Sequence, residues 1–125
     1  MKALRLNVSE LEITPYQARK EWAKDLRSGE YQQITGQLRE GDNGRCCLGV
    51  ACDTYKRLTG KGEWDEDIFV AEKDSFCSAE LPDIVMTFFG FSKSDPELDY
   101  GQQATTLNDQ LGKTFAEIAD LVEKL

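Results

Sequence analysis

The sequence predicts an α+β fold, in which about four helices pack on a small antiparallel sheet or on hairpins within one domain. The chain has 125 residues, of which 40% are apolar and 30% charged, and this size supports one hydrophobic core. Apolar residues recur at helical spacing in several segments that are too short to form a bundle of independent helices. Between these segments lie β-branched and aromatic stretches bounded by Gly and Asn, a pattern typical of hairpins.

Residues 1–13 are predicted to form a strand or an extended arm ahead of a single α+β domain over residues 14–125. Leu4, Leu6 and Val8 alternate with polar residues, which is the period of a strand with one buried face. The segment lacks the apolar run of a signal peptide, and no run of 18 apolar residues occurs in the chain. These features predict a cytoplasmic protein.

A first helix is predicted from Thr14 to Arg27 or Ser28. The threonine hydroxyl can cap free backbone N–H groups, and the proline that follows is suited to the first helical position. Gly29 supplies the stop. The buried stripe of this helix is formed by Ala18, Trp22 and Leu26.

A β-hairpin is predicted next, with its first strand within Tyr31–Leu38 and its turn over Glu40–Gly44. The Asn-Gly pair in the turn tolerates the positive φ values that hairpin turns require. The second strand then leads into a second helix that Gly60 ends. Its apolar face consists of Leu48, Ala51, Cys52, Tyr55 and Leu58.

The second half alternates polar segments with shorter apolar ones. Lys61–Asp67 is predicted to be an acidic loop, Ile68–Ala71 a short strand, and Pro82–Phe89 a third helix. Ser92–Gln103 is predicted to be a polar loop. Thr114 opens the last helix with the spacing of a capping box. One core is expected to contain Trp22, Leu26, Leu48, Tyr55, Val85, Phe88, Phe115, Ile118 and Val122.

Charge is distributed unevenly along the chain, whose net charge is −8. Residues 1–60 hold ten Lys/Arg and eight Asp/Glu, whereas residues 61–125 hold five and fifteen. An acidic total argues against direct binding of DNA or RNA, which needs basic residues to replace counterions. The chain contains no histidine, which removes the commonest general base and the usual nucleophile pairs. We therefore expect a protein that is not an enzyme.

The four cysteines are expected to stay reduced in the cytoplasm, without disulfide, zinc or another cofactor. Neighbouring residues on a strand point to opposite faces, so Cys46 and Cys47 do not form a zinc knuckle. Cys52 falls on the apolar stripe of the second helix and is predicted to be core. A reactive thiol at Cys46 or Cys47, just before a helix, remains an alternative.

Arginines of the front half predict a pocket for an anion. Arg27 ends the first helix, while Arg39 and Arg45 face one another across the predicted hairpin, and their planar guanidinium groups suit phosphate. The alternative is a solvated cross-strand pair with all nearby rings in the core. Rings on which a base can stack are supplied by Trp22, Tyr31 and Tyr55.

Two further segments complete the candidate site. Gly49, beside Cys47 at a strand-to-helix junction, allows a ligand to approach the backbone, although close packing explains such a glycine equally well. Asn108 and Asp109 either bind the ligand or hydrogen-bond within their own turn. The predicted ligand-binding residues are Arg27, Tyr31, Arg39, Arg45, Cys47, Gly49, Asn108 and Asp109, with no catalytic or metal-binding residue among them.

Several sequence motifs occur together from Trp22 onward. They are Trp22, Leu26-Arg27-Ser28-Gly29, Tyr31, Gln33, Gly36, Leu38, Cys46-Cys47-Leu48-Gly49-Val50, Cys52-Asp53, Leu107-Asn108-Asp109, Gly112 and Phe115-Ala116-Glu117-Ile118-Ala119-Asp120. Together they resemble a family of small, uncharacterised accessory proteins of tailed phages, over most of the chain from Trp22 onward. The resemblance implies a protein made in an infected bacterial cell.

The sequence favours one function and leaves two alternatives open. The favoured function is non-catalytic sequestration of a small anionic nucleotide signal of host antiviral defence, by analogy with phage proteins of this profile. The first alternative is an acidic inhibitor of a host enzyme or nucleic-acid-binding protein, since residues 61–125 carry a strong negative field. The second alternative is a cysteine-dependent enzyme. No membrane partner is expected, and formation of a homo-oligomer is left open.

Overall fold

The computed structural model describes residues 13–125, so residues 1–12 of the expected arm lie outside the described part. The described residues form one α+β domain, as expected. None of their helices has the length and apolarity needed to cross a bilayer. The helices are α1 (Pro15–Leu26), α2 (Cys47–Thr59), α3 (Asp83–Phe88), a π-helix (Thr106–Gln110) and α4 (Phe115–Glu123). The strands are β1 (Gln32–Gln33), β2 (Arg39–Glu40), β3 (Gly44–Arg45), β4 (Glu63–Asp65), β5 (Ile68–Glu72), β6 (Ser75–Cys77), β7 (Glu97–Asp99) and β8 (Gln102–Gln103).

The predicted capping box at Thr114 is present, and the predicted Thr14 cap is also a full capping box. The Thr14 hydroxyl accepts from the Gln17 backbone N–H at 3.1 Å, and the Gln17 side chain accepts from the Thr14 N–H at 2.9 Å. Thr114 and Glu117 make the same exchange at the start of α4. Because each box satisfies two free N–H groups locally, the helix starts are determined by a few neighbouring residues.

A hairpin follows the first helix as predicted, but its strands are much shorter than expected, and its first strand, β2, lies after Tyr31–Leu38 instead of within it. Strand β2 pairs antiparallel with β3, so that Arg39 lies opposite Arg45, while β1 adds to β3 in parallel. The expected positive φ at the Asn-Gly pair is wrong, because Gly44 lies within β3 and Gly41 adopts φ 66° instead. A Cβ at Gly44 would lie 2.5 Å from the Glu40 carbonyl oxygen.

Two segments expected to be loops contain strands. Within Lys61–Asp67, β4 pairs with β5, and Trp64 lies opposite Phe69 with ring centroids 5.0 Å apart. Ser92–Gln103 contains the β7–β8 hairpin. The acidic and polar side chains of these strands face solvent. Because few of their residues are apolar, the strands could not be recognised in the sequence.

The predicted core is confirmed except at two phenylalanines. Phe88 and Phe115 are only partly buried and pack against the core from outside. Helix α3 ends at Phe88, so the following residue, Phe89, turns inward and is fully buried against Trp22 with ring centroids 5.5 Å apart. The core position expected for Phe88 is therefore occupied by its neighbour, Phe89.

Candidate functional site

Arg27 does not join the other arginines of the expected anion pocket. Its guanidinium donates to Glu123 at 2.6 Å and to Asp120, and thereby ties α1 to α4. The hydrogen bond from Arg27 lowers the pKa of Glu123. Arg27 shares no side-chain partner with Arg39 or Arg45, so the expected three-arginine pocket is not assembled among the described residues.

Arg39 and Arg45 lie together with two rings and one carboxylate, a group called here the arginine–tryptophan cluster (Tyr31, Arg39, Arg45, Asp53 and Trp64). The Arg45 guanidinium lies 5.0 Å from the centre of the Trp64 ring and 5.4 Å from that of Tyr31. Arg39 lies 5.6 Å from the Trp64 ring. Asp53 accepts from Arg45 Nε at 2.6 Å and from Trp64 Nε1 at 2.9 Å. The cluster therefore joins the hairpin to α2 and β4 through cation–π contacts and a charged hydrogen bond.

Arg45 is a structural residue of this cluster. Its exposure is 5%, and its Nη1 donates to the carbonyl oxygens of Gly41, Asp42 and Gly44. Arg45→Glu is therefore expected to destabilise the fold, because the residue is buried against Asp53 instead of lying in solvent. A glutamate there would face a carboxylate at close range.

Arg39 lies at the edge of a cleft of about 440 Å³. Its Nη1 donates to the Glu66 carbonyl oxygen at 2.9 Å, and its Nε is buried without a partner among residues 13–125. Three carboxylates share the cleft, so its electrostatic potential does not favour an anion strongly. The residues that line it are Gln37, Arg39, Glu40, Gly41, Glu66 and Asp67.

Of the three rings proposed for base stacking, only Tyr31 belongs to the cluster. Burial raises the pKa of Tyr31 to about 12, with Asp53 contributing in the same direction. Trp22 and Tyr55 are core residues with exposures of 0% and 1%. Trp64, which lies within the predicted acidic loop Lys61–Asp67, is the second ring of the cluster.

Gly49 is explained by close packing, one of the two roles that the sequence left open. A Cβ at this position would lie 1.9 Å from the carbonyl oxygen of Leu38. The Gly49 N–H donates to the Cys46 sulfur at 3.4 Å. The start of α2 is therefore sealed by the chain itself, and its N–H groups are turned inward.

Gly49→Ala is expected to lower the free energy of unfolding by about 3 kcal/mol or more, because the methyl group would displace backbone. Gly112→Ala is the control, since its Cβ would meet nothing within 4 Å and only its φ of 66° is unfavourable, at about 1–2 kcal/mol. Urea denaturation of both variants makes the comparison. Equal losses would contradict the packing role of Gly49.

The cysteines of α2 are packed and poorly suited to nucleophilic chemistry. Cys46 caps the helix, and burial raises its pKa to about 11. Cys47 and Cys52 are fully buried, and burial raises the pKa of each well above the ordinary value. Cys52 is thus a core residue, as predicted. Within residues 13–125, no group of three or more Cys, Asp or Glu side chains is arranged to hold a metal ion.

One thiol of the native protein is expected to react with a disulfide reagent faster than the other three at pH 8. Cys77 is only half-buried, although burial and then Glu80 and Asp83 raise its pKa too. The thiolate is the reacting form, so a raised pKa and burial both slow the others. Denaturant should release all four, and Cys77→Ser should abolish the fast phase. A fast phase retained in Cys77→Ser would contradict this assignment.

Asn108 and Asp109 bond to each other and also join distant parts of the chain. Asn108 is 2% exposed, and its Oδ1 accepts from the Cys47 N–H at 3.1 Å. Asp109 accepts from the Gly36 N–H at 3.1 Å. The amide of Asn108 is fully used inside the fold, so this residue has no group free for a ligand. Its remaining partners are Gln33, Ile34 and Asp109.

An exposed apolar strip on the sheet β4–β5–β6 was not predicted from the sequence. Phe69 and Ala71 of β5 are buried toward the core, and the residues that alternate with them face outward. We call the outward group the outer sheet face. Phe76 of β6 is 57% exposed. Alternation within Glu63–Asp65 was the sequence signal that could have revealed β4. The outer sheet face consists of Glu63 opposite Val70, Val70 opposite Phe76, and Asp65 opposite Ile68.

Comparison with known proteins gives a family without an assigned activity. The model of a family described as a domain of unknown function, DUF8296, matches residues 16–125. No curated protein matches the chain, and neither does any solved structure. The matched range covers α1 through α4, including the arginine–tryptophan cluster and the outer sheet face. The chain therefore belongs to the DUF8296 family.

Proposed function

We propose that the chain is a non-catalytic binding protein whose outer sheet face docks on a basic protein surface with an apolar centre. The observation that carries the proposal is Phe76, a large aromatic side chain left 57% exposed on β6, the edge strand of a sheet whose other two strands carry acidic residues. Exposed aromatic residues of this kind are frequent anchors of protein interfaces. The buried thiols and the absence of histidine support binding over catalysis.

The charge around the outer sheet face determines which class of partner it can bind. Residues 61–80 hold seven Asp/Glu and two Lys. Lys56 offsets part of this charge through an exposed pair with Glu63 at 3.5 Å, and such pairs contribute little. A basic partner would be steered to this surface by the field, while Ile68, Val70 and Phe76 would supply apolar contact.

The setting follows from the resemblance to phage accessory proteins and belongs to the same proposal. In the cytoplasm of an infected bacterial cell, the partner would be a host enzyme or nucleic-acid-binding protein with a basic working surface. The acidic face would then block that surface.

Phe76→Ala is expected to weaken binding of a basic probe about tenfold or more, the usual loss for an interface anchor. The probe is a blocked peptide with two leucines flanked by arginines, titrated against isotope-labelled protein and followed by NMR. Chemical shift changes should map to β5 and β6. Tyr16→Ala is the matched control, because Tyr16 is 50% exposed on α1. Equal affinities of the two variants, or shift changes confined to other surfaces, would overturn the proposal.

Capture of a small anionic nucleotide is the second candidate, supported by Arg39. Its guanidinium lies over the Trp64 ring, and its buried Nε lacks a partner within residues 13–125. Both features suit a phosphate beside a stacked base. The carboxylates in the same cleft place this candidate second.

Arg39→Glu is expected to abolish any nucleotide-induced rise in melting temperature while the protein stays folded, because the ion pair that it removes is long, at 3.5 Å, and its partner Asp42 is 97% exposed. A panel of mono-, di- and cyclic nucleotides would be incubated with the protein and then re-measured by chromatography. Capture stabilises the protein and leaves the nucleotide intact. Lys24→Glu on α1 is the control, and an unchanged response in Arg39→Glu would exclude this cleft.

A further inference from the structure

We propose that the cavity between α2, α3 and the end of β5 binds an arginine or lysine side chain of the basic partner. This inference rests on the proposed docking function and adds a defined subsite to it. The cavity has a volume of about 430 Å³, within the range of pockets that enclose small ligands. We call it the α2–α3 cavity, and its lining residues are Tyr55, Lys61, Glu72, Asp83, Ile84, Thr87 and Phe88.

The walls of the α2–α3 cavity are mostly apolar. Tyr55 comes from α2, and Ile84 and Phe88 come from α3. The Tyr55 and Phe88 rings are perpendicular, with an interplanar angle of 88° and centroids 5.1 Å apart. Burial raises the pKa of Tyr55, so its hydroxyl stays neutral and contributes no charge. Such walls suit the aliphatic stem of a long basic side chain, and the aromatic rings suit its cationic end.

The rim supplies the charge that selects a cation. Glu72 ends β5 and Asp83 begins α3, and both side chains line the cavity. Lys61 lies on the same rim, yet it forms no ion pair with either carboxylate, and neither carboxylate has any other ion-pair partner within residues 13–125. The rim therefore carries a net charge of −1 and two carboxylates ready to accept from a guanidinium or ammonium group.

The α2–α3 cavity is joined to β6, the edge strand that carries Phe76. Glu72 lies opposite Ser75 at the end of the β5–β6 pair, and the Ser75 hydroxyl accepts from the Ile84 N–H at 3.3 Å. Ser75 and Phe76 are neighbours on this strand, so their side chains point to opposite faces of the sheet. A partner that is seated on Phe76 and passes around the β6 edge would bring a basic side chain to the cavity.

The test uses the same arginine peptide and an analogue in which citrulline replaces arginine, which keeps the shape and removes the charge. Glu72→Gln and Asp83→Asn are each expected to weaken binding of the arginine peptide about three- to fivefold, the scale of an exposed charged pair. Lys61→Gln should strengthen it by a similar factor. Glu80→Gln is the matched control, because Glu80 is an exposed acid near β6 that does not line the cavity. The citrulline peptide should not distinguish Glu72→Gln from the unmodified protein.

A steric variant keeps the inference testable if Asp83→Asn alters the start of α3. Thr87→Phe keeps every charge and places a ring in the cavity, so it should reduce peptide binding as much as Glu72→Gln does. The inference is overturned if the Glu72, Lys61 and Thr87 variants all bind like Glu80→Gln. If Phe76→Ala still weakens binding in that case, the docking proposal survives alone. Loss of both effects overturns both proposals.

Discussion

Trp22→Ala is expected to lower the free energy of unfolding by about 3–5 kcal/mol, the cost of emptying a buried aromatic site. The Trp22 side chain is 0% exposed, and its ring packs against Phe89 and Phe91 with centroids 5.5 and 6.0 Å apart. The variant also loses the hydrogen bond from Trp22 Nε1 to the Cys47 carbonyl oxygen, which spans 3.0 Å. That bond ties α1 to the first residue of α2, so its loss loosens the junction of the two helices.

Urea denaturation followed by circular dichroism measures this effect. Phe115→Ala is the internal comparison, because Phe115 is only partly buried at the start of α4. The sequence predicts that both residues lie in the core, whereas the structure predicts a clearly smaller loss of unfolding free energy for Phe115→Ala. A loss from Trp22→Ala no larger than that from Phe115→Ala would show that the core is centred elsewhere.

Arg45→Met is expected to cost about 3–5 kcal/mol, the loss that follows when one partner of a buried ion pair is removed. The side chains of Arg45 and Asp53 are 6% and 16% exposed. In the variant the Asp53 carboxylate keeps only the Trp64 N–H as a partner, and the carbonyl oxygens around the hairpin turn lose their shared donor. Thermal unfolding of the variant would report the destabilisation.

A double-mutant cycle separates the ion pair from the packing of the arginine stem. Arg45→Met combined with Asp53→Leu should cost less than the sum of the two single variants, since no unpaired charge remains. Arg39→Met is the control for the hairpin, because the ion-pair partner of Arg39, Asp42, is 97% exposed and lies 3.5 Å away, so no buried charge is left unpaired. Strict additivity of the Arg45 and Asp53 losses would show that the two groups act independently.

The four α-helices could be predicted from the sequence because their signals are local. Thr14 and Thr114 each form a capping box with a residue three positions later, and the apolar stripes repeat within one or two turns. The strands could not be delimited in this way. Strands β1, β2, β3 and β8 have two residues each, which is too short to show a period of two. Parallel pairing of β1 with β3 has no local signal.

The candidate site was predicted less well, because its chemistry depends on partners far apart in sequence. Arg27 meets Glu123 across 96 positions, so its neutralisation was invisible from neighbouring residues. Arg39 and Arg45 were correctly placed opposite one another. Trp64, the ring that both guanidinium groups contact, was not predicted to join them, because its sequence neighbours are acidic. The exposed Phe76 was not predicted either, since a single phenylalanine in a sequence indicates burial far more often than exposure.

Asn108 also determines when the chain can fold during synthesis. Its amide bonds to Ile34 and to the start of α2 cross 74 and 61 positions, so the front half of the protein stays incomplete until the π-helix has been made. A nascent chain on the ribosome would carry α1, the hairpin and α2 with their mutual anchor still untranslated. Emergence of α4, which packs against α1, then completes the contacts of the domain. A protein built in this way is made as a single cooperative unit, and no fragment that ends before Asn108 is expected to be a stable product.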